Sequence, residues 1–239
     1  MALNFKIFRD LVFKLILILF ALSILWVLVY KWFTPPVTLH MIERRAKAAQ
    51  AKKANPRIRY NFVNLEDVAP NVPLAIMAAE DQLFMTHDGF DYKAMKGAFQ
   101  KNQKSKKIVG GSTISQQVAK NVFLWHGRSY IRKLVEAYFT MLIEIFWSKH
   151  RIMEVYINIA ETGDQVFGVE AAAQKYFNTS AKNLTASQAA LIASVLPNPI
   201  RFSVKNPSAF TLKKRRVILR NMRQMGGTTS VKLLMQGAI

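Results

Sequence analysis

At 239 residues the chain has room for one sizeable domain plus a further segment, and a hydrophobic share of 51% is enough for a single core. The absence of cysteine excludes a disulfide framework and a thiolate metal site, and an aromatic share of 11% argues against wholesale disorder. A net charge of +20 calls for an anionic partner; nucleic acid, anionic lipid headgroups and a phosphorylated substrate all satisfy charge alone.

Residues 1–10 read as a short basic head and 11–33 as a membrane anchor. The apolar stretch Leu15–Tyr30 is interrupted only by Ser23 and bordered by Lys14 and Lys31. A bilayer core needs about 20 apolar residues, and border lysines can snorkel to complete the span. Trp26, Tyr30, Trp32 and Phe33 crowd the far end as an aromatic belt does. The run is long, and Lys-Trp-Phe-Thr-Pro-Pro follows it where a cleaved signal peptide would have small residues, so a retained anchor is expected. Lys6, Arg9 and Lys14 precede the span while Arg44, Arg45, Lys47, Lys52 and Lys53 follow it, so charge bias alone leaves orientation open.

Thr34-Pro35-Pro36 stops the anchor helix, and 34–57 reads as a charged linker or stalk. The folded domain is expected over 58–239. Apolar spacing of three to four residues predicts helices over 73–86, 91–100, 113–124, 129–147, 149–159, 168–177, 186–195 and 209–224. Asp91 is a candidate N-cap, Thr185 with Gln188 a capping box, and Leu196-Pro197-Asn198-Pro199 a helix stop. Arg57–Val63 is the best strand candidate, so the fold class is mainly α. The basic run Lys101–Lys107, leading into Gly110-Gly111, reads as a surface loop.

Several site types are excluded by pattern. There is no dinucleotide fingerprint, no P-loop and no Ser-x-x-Lys motif of a penicillin-binding acyl-enzyme. His40, His87, His126 and His150 show no metal-ligand spacing. Carboxylates are scarce, 14 in all, and two stand out. Glu80 follows Leu-Ala-Ile-Met-Ala-Ala, a setting that desolvates a carboxyl and raises its proton affinity, as a general base requires. Glu136 follows Arg132 and Lys133 and shares a helix face with Thr140 and Glu144. Taken alone, each is more often a structural ion-pair partner than a catalyst.

The order of the motifs distinguishes these glutamates. Glu80-Asp81-Gln82-Leu83-Phe84 with His87, Gly89 and Asp91 is followed by Gly110-Gly111-Ser112-Thr113-Ile114-Ser115-Gln116-Gln117 with Lys120-Asn121. Then come Arg132-Lys133 with Glu136; Ser148-Lys149, Ile152, Glu154, Tyr156 and Asn158; Gly168-Val169-Glu170-Ala171-Ala172-Ala173 with Tyr176-Phe177; and Leu196-Pro197-Asn198-Pro199. Over about 58–208 this series resembles the peptidoglycan glycosyltransferases, in their monofunctional biosynthetic class. The resemblance implies a lysozyme-like, bilobal helical domain with a cleft between its lobes, on one N-terminal transmembrane helix. It implies a bacterial inner-membrane location with the catalytic domain on the periplasmic face. The partners it implies are lipid II, the growing glycan strand, membrane lipids and other cell-wall synthesis proteins, with no nucleic acid.

It also implies roles. Glu80 is the base that activates the acceptor sugar hydroxyl, and Glu136 orients the donor or its cationic partners. Lys120 and Arg128 meet the pyrophosphate, with Arg132 and Lys133 behind them. Ser112, Gln116 and Gln117 hydrogen-bond sugar or phosphate. Asp81, Phe84, His87, Gly110, Gly111 and Thr113 shape the site. No resident cofactor is required, and Mg²⁺ or Mn²⁺ is an optional aid to pyrophosphate departure. Val135 departs from the family pattern, where a polar or basic residue often stands. Rival readings are a lysozyme-like hydrolase, a non-catalytic scaffold, and a nucleic-acid binder suggested by the basic stretch Lys213–Arg223.

Overall fold

The computed structural model describes residues 2–51, 57–104, 110–125, 127, 129 and 130–237. The chain divides into two compact units, Met1–Pro35 and Pro36–Ile239. The first holds one helix, α1 (Ala2–Trp32), so residues 2–10 are helical and continuous with the anchor segment. Its stretch Phe5–Trp32 has a mean hydropathy of 2.8 and is long and apolar enough to cross a membrane. Phe8, Leu11, Ile16, Leu19 and Leu25 all lie on its open surface, an arrangement suited to lipid.

The second unit begins well before residue 58. Helix α2 (Leu39–Gln50) forms within the stretch read as a linker, capped by Thr38, whose hydroxyl accepts from Met41 N at 3.3 Å. Met41 and Ala48 are buried on one face, and Arg44 ion-pairs with Glu161 and Asp164, each at 2.9 Å. Apolar side chains seven residues apart on one face, with a cation between them, make this a packed helix.

Among the described residues nine further α-helices follow: α3 (Asn71–Glu80), α4 (Tyr92–Lys104), α5 (Ile114–Phe123), α6 (Tyr130–Phe146), α7 (Lys149–Ile159), α8 (Val169–Phe177), α9 (Ala186–Val195), α10 (Ala209–Gln224) and α11 (Lys232–Met235). The fold is mainly helical, as the periodicity indicates. Helix α3 is apolar on every side, with Val72–Ala78 buried, and packs against α9 and α10; α5 packs against α6 and α7. Lys101–Lys104, read as the start of a loop, continues α4.

Helix α3 stops six residues short of the sequence expectation. Asp81 leaves the helical region (φ −162°, ψ 83°), and its carboxylate accepts from Ile114 N, the first residue of α5, at 3.0 Å. The pattern misleads because Phe84 is also buried, but from a turn. A small sheet has the order β1 (Arg59–Tyr60), β3 (Val166–Phe167), β2 (Glu161–Gly163), with β1 parallel and β2 antiparallel to β3. The strands β2 and β3 are too short to show alternation. Gly168 follows them at φ +82°, where a Cβ would lie 2.8 Å from the Asn158 carbonyl oxygen.

Candidate active site

Glu80 is the last residue of α3. A helix C-terminus presents the negative end of its dipole, so a carboxylate there gains nothing from its own helix. It opens onto a cavity of about 260 Å³ lined by Asp81, Gln82 and Leu83, by Asp91 and Ala94, and by Gly110, Gly111, Ser112 and Thr113. Gln117 of α5 donates from Nε2 to Glu80 Oε2 at 3.0 Å, and the buried Tyr156 of α7 donates its hydroxyl to Gln117 Oε1 at 3.1 Å. Tyr156 thereby fixes the amide so that its NH₂ faces the carboxylate. Burial pushes the Glu80 carboxyl above its ordinary value; the Gln117 bond and the charges of Lys214 and Lys120 act the other way. Burial also pushes the Tyr156 phenol well up, reinforced by the charges of Glu80 and Asp81, so it remains a donor.

The neighbouring carboxylate has a different task. Asp81 is buried and accepts from His87 Nε2 at 3.0 Å as well as from Ile114 N. Gly89 N donates to His87 Nδ1 at 3.1 Å, which leaves the ring proton on Nε2, facing Asp81. The Thr113 hydroxyl donates to the Gly89 carbonyl at 2.7 Å, and Lys149 Nζ donates to the His87 carbonyl at 2.6 Å. Lys149 also binds Glu144 at 2.8 Å and lies 4.8 Å from the centre of the Phe84 ring; Ser115 donates to Glu144. Asp81, Phe84, His87 and Thr113 therefore pin the turn after Glu80 to α5, α6 and α7. Gly89 sits at φ +85° against Thr140 and Glu144, with no room for a Cβ.

Glu136 is buried on α6 and held by Arg132 Nη1 at 2.7 Å and by Lys133 Nζ. Lys133 also reaches Ser112 Oγ at 3.5 Å. Burial lowers the pKa of Lys120 on α5, with Glu136 the chief opposing charge. Glu136 thus ion-pairs with Arg132 and Lys133, and its charge acts on Lys120 without a direct bond. Arg128 lies outside the described residues. Val135 is half-buried and adds no charge, and Lys133 supplies the nearest cation to Ser112.

Gln116 departs from the sequence expectation. It is buried, and its side-chain oxygen accepts from Thr113 N at 3.0 Å, closing a capping box at the start of α5. Its carboxamide holds the helix end, while Gln117, one position on, faces the Glu80 carboxylate.

A second cavity of about 330 Å³ is lined by His40, Arg44 and Lys47 of α2, Gln117, Lys120 and Asn121 of α5, Tyr156, Ala160, Glu161 and Leu196–Ile200. Gln117 links the two cavities, since it borders this one and hydrogen-bonds Glu80 in the other. Sequence reasoning missed the contribution of α2, and it missed Lys214, whose charge acts on Glu80 from α10. Lys214 lay in a basic stretch legible only as charge. Among the described residues one group, Glu66, His150 and Glu154, brings metal-ligand atoms within 4.8 Å of one another, although no histidine spacing announced it. Glu154 is ion-paired with Arg151, which opposes a cation there.

Comparison with known proteins accords with this arrangement. A family model described as Transglycosylase matches residues 47–223. The chain is 46% identical over 221 residues to the biosynthetic peptidoglycan transglycosylase of Pasteurella multocida (strain Pm70), covering 92% of this chain and 88% of that one. Its counterpart in Haemophilus influenzae (strain ATCC 51907 / DSM 11121 / KW20 / Rd) is 46% identical over 222 residues, with 92% and 89% covered. That of Xylella fastidiosa (strain 9a5c) is 44% identical over 213 residues, with 89% and 88% covered. With a family model spanning residues 47–223 and relatives 44–46% identical over most of its length, the chain belongs to the transglycosylase family.

Proposed function

We infer that this chain polymerises the glycan strands of bacterial peptidoglycan, joining lipid II to a growing strand and releasing undecaprenyl pyrophosphate. The observation that carries the reading is the chain of hydrogen bonds Tyr156–Gln117–Glu80 at the wall of an open cavity, with Lys120 one helical turn beyond Gln117. A sugar hydroxyl is far too weak an acid to ionise at neutral pH, so its attack needs a base within reach. Glu80 takes the proton of the acceptor 4-hydroxyl as that oxygen attacks C1 of the donor, and the C1–oxygen bond to pyrophosphate breaks on the opposite face, with inversion. The departing pyrophosphate needs no proton; it needs cations fixed where its charge develops. Lys120 fills that role, with Arg132 and Lys133 behind it.

No step runs through a divalent ion. Asp81 is committed to His87 and a backbone amide, and Glu136 to Arg132 and Lys133, so these carboxylates do not form a metal cage at the cavity. Against a hydrolase reading, the cations Lys120, Arg132 and Lys133 suit an anionic leaving group, which a glycan-cleaving enzyme does not have. The exposed row Ile131, Leu134, Met141 and Ile145 on α6 suits insertion into a lipid surface, in keeping with a membrane-borne substrate. The reading places the chain in the inner membrane with the enzymatic unit on its outer face, among other wall-synthesis proteins.

Incubating the full-length protein in detergent with fluorescent lipid II tests this reading. A ladder of glycan products with free polyprenyl pyrophosphate is the expected result. Intact lipid II together with cleavage of preformed glycan would assign the site to hydrolysis.

A further inference from the structure

Helix α2 forms one wall of the second cavity and α5 another. We propose that α2 is part of the substrate site: Lys47 binds the pyrophosphate of the lipid-linked substrate together with Lys120, and Arg44 is a positioning residue that keeps α2 in place. The identity of the ligand rests on the polymerase reading; the anion site itself rests on the cavity.

Among the described residues, Glu161 is the only acidic one lining that cavity. Its Oε1 accepts from Arg44 Nε at 2.9 Å and from Gln165 N at 3.3 Å, and His40 Nε2 lies 3.2 Å from Oε2. Arg44 extends its other arm to Asp164 at 2.9 Å. Arg44 and Glu161 therefore neutralise each other within the wall, and the charges left to face the cavity are the ammonium groups of Lys47 and Lys120. Lys120 makes no hydrogen bond from its side chain among the described residues, and burial disfavours its charged form, a cost that a bound anion removes. Lys47 is 64% exposed, and its pairing with Glu43 is 4.0 Å long, at the limit of an ion pair and weakly held. Two ammonium groups lining one opening of about 330 Å³, in company with Asn121 and Asn198, match a multiply charged anion with several oxygens. Neither the monosaccharide rings nor a neutral acceptor hydroxyl calls for that charge.

Inorganic pyrophosphate is the probe, titrated calorimetrically into the full-length protein in detergent, with Lys47→Gln, Lys47→Arg and, as a distant control, Lys182→Gln. Lys47→Gln is expected to weaken pyrophosphate binding about tenfold, the loss of one hydrogen bond to a charged group. Lys47→Arg should restore most of it, and Lys182→Gln should leave it unchanged. In polymerisation assays the same Lys47→Gln variant should raise KM for lipid II by a similar factor while kcat stays within about twofold, since the contact is made before and during reaction alike. Equal pyrophosphate affinity in wild type and Lys47→Gln, or an equal loss in Lys182→Gln, overturns the proposal. A wild type that binds pyrophosphate through Lys47 but does not polymerise would leave the anion site standing and remove the polymerase reading.

Discussion

At the scale of single residues, two adjacent carboxylates have been given opposite environments. Asp81 is saturated with donors and serves as a fastener. Glu80 has one amide donor, burial that favours its protonated form, and two lysines whose charge limits that rise. A base must be deprotonated to act, so turnover is expected to climb with pH along a limb set by Glu80, lying above the ordinary value of 4.5. Lys214 favours the ionised form, so Lys214→Gln should move that limb to higher pH while leaving the plateau rate less affected; a kcat–pH profile of the two proteins measures it. A limb that stays in place would show that Lys214 does not act on the titrating group. The stability sign follows from the same shift. A carboxyl whose folded pKa is raised binds protons more tightly in the folded state, so it destabilises the fold as pH rises past its unfolded value. Glu80→Gln is therefore expected to melt at the same or a higher temperature than wild type at neutral pH.

At the scale of elements, the helices were legible because their apolar spacing and caps agree. The Asp91 and Thr185 caps are both present, and helices α5 to α10 lie within a residue of their predicted bounds. What escaped was decided by long-range partners. The end of α3 is set by Asp81 reaching a helix 33 residues away, and α2 is held by Glu161, 117 residues beyond Arg44. No local pattern announces either contact. Glu161 gives a test of α2. Burial pushes its carboxyl up, but hydrogen bonds from His40 and Arg44, and their charges, outweigh this and hold it below 4.5. A depressed carboxyl contributes stability that is complete above its unfolded pKa and lost as pH falls through the folded value. The difference in melting temperature between wild type and Glu161→Gln should accordingly be largest near neutral pH and shrink below about pH 4.5. A constant difference would mean that the charge of Glu161 does not hold the helix. Gly89→Ala tests the turn that follows Glu80. With φ at +85° and a Cβ placed 2.8 Å from Thr140 Cγ2, it should cost about 1–3 kcal/mol in urea unfolding and reduce turnover with it.

At the scale of the whole molecule, charge, an apolar helix and one reactive cavity belong to a single physical problem. In the proposed reaction the substrate is an anion carried on a lipid, which calls for a segment that can cross a membrane, cations placed for a leaving pyrophosphate, and a base that survives burial. Composition alone exposed the first and hinted at the second. The candidate site was legible as an ordered series of motifs, yet the division of labour within it was not, because Gln116 and Gln117 look alike in sequence and differ only in which side of α5 they occupy. The most direct measurement is the turnover of lipid II by purified Glu80→Gln beside wild type, with melting temperatures recorded for both. Removal of the base is predicted to lower kcat by about 10²–10⁴-fold while the fold stays as stable as before. A variant that still builds glycan at a rate near wild type would show that Glu80 is not the base.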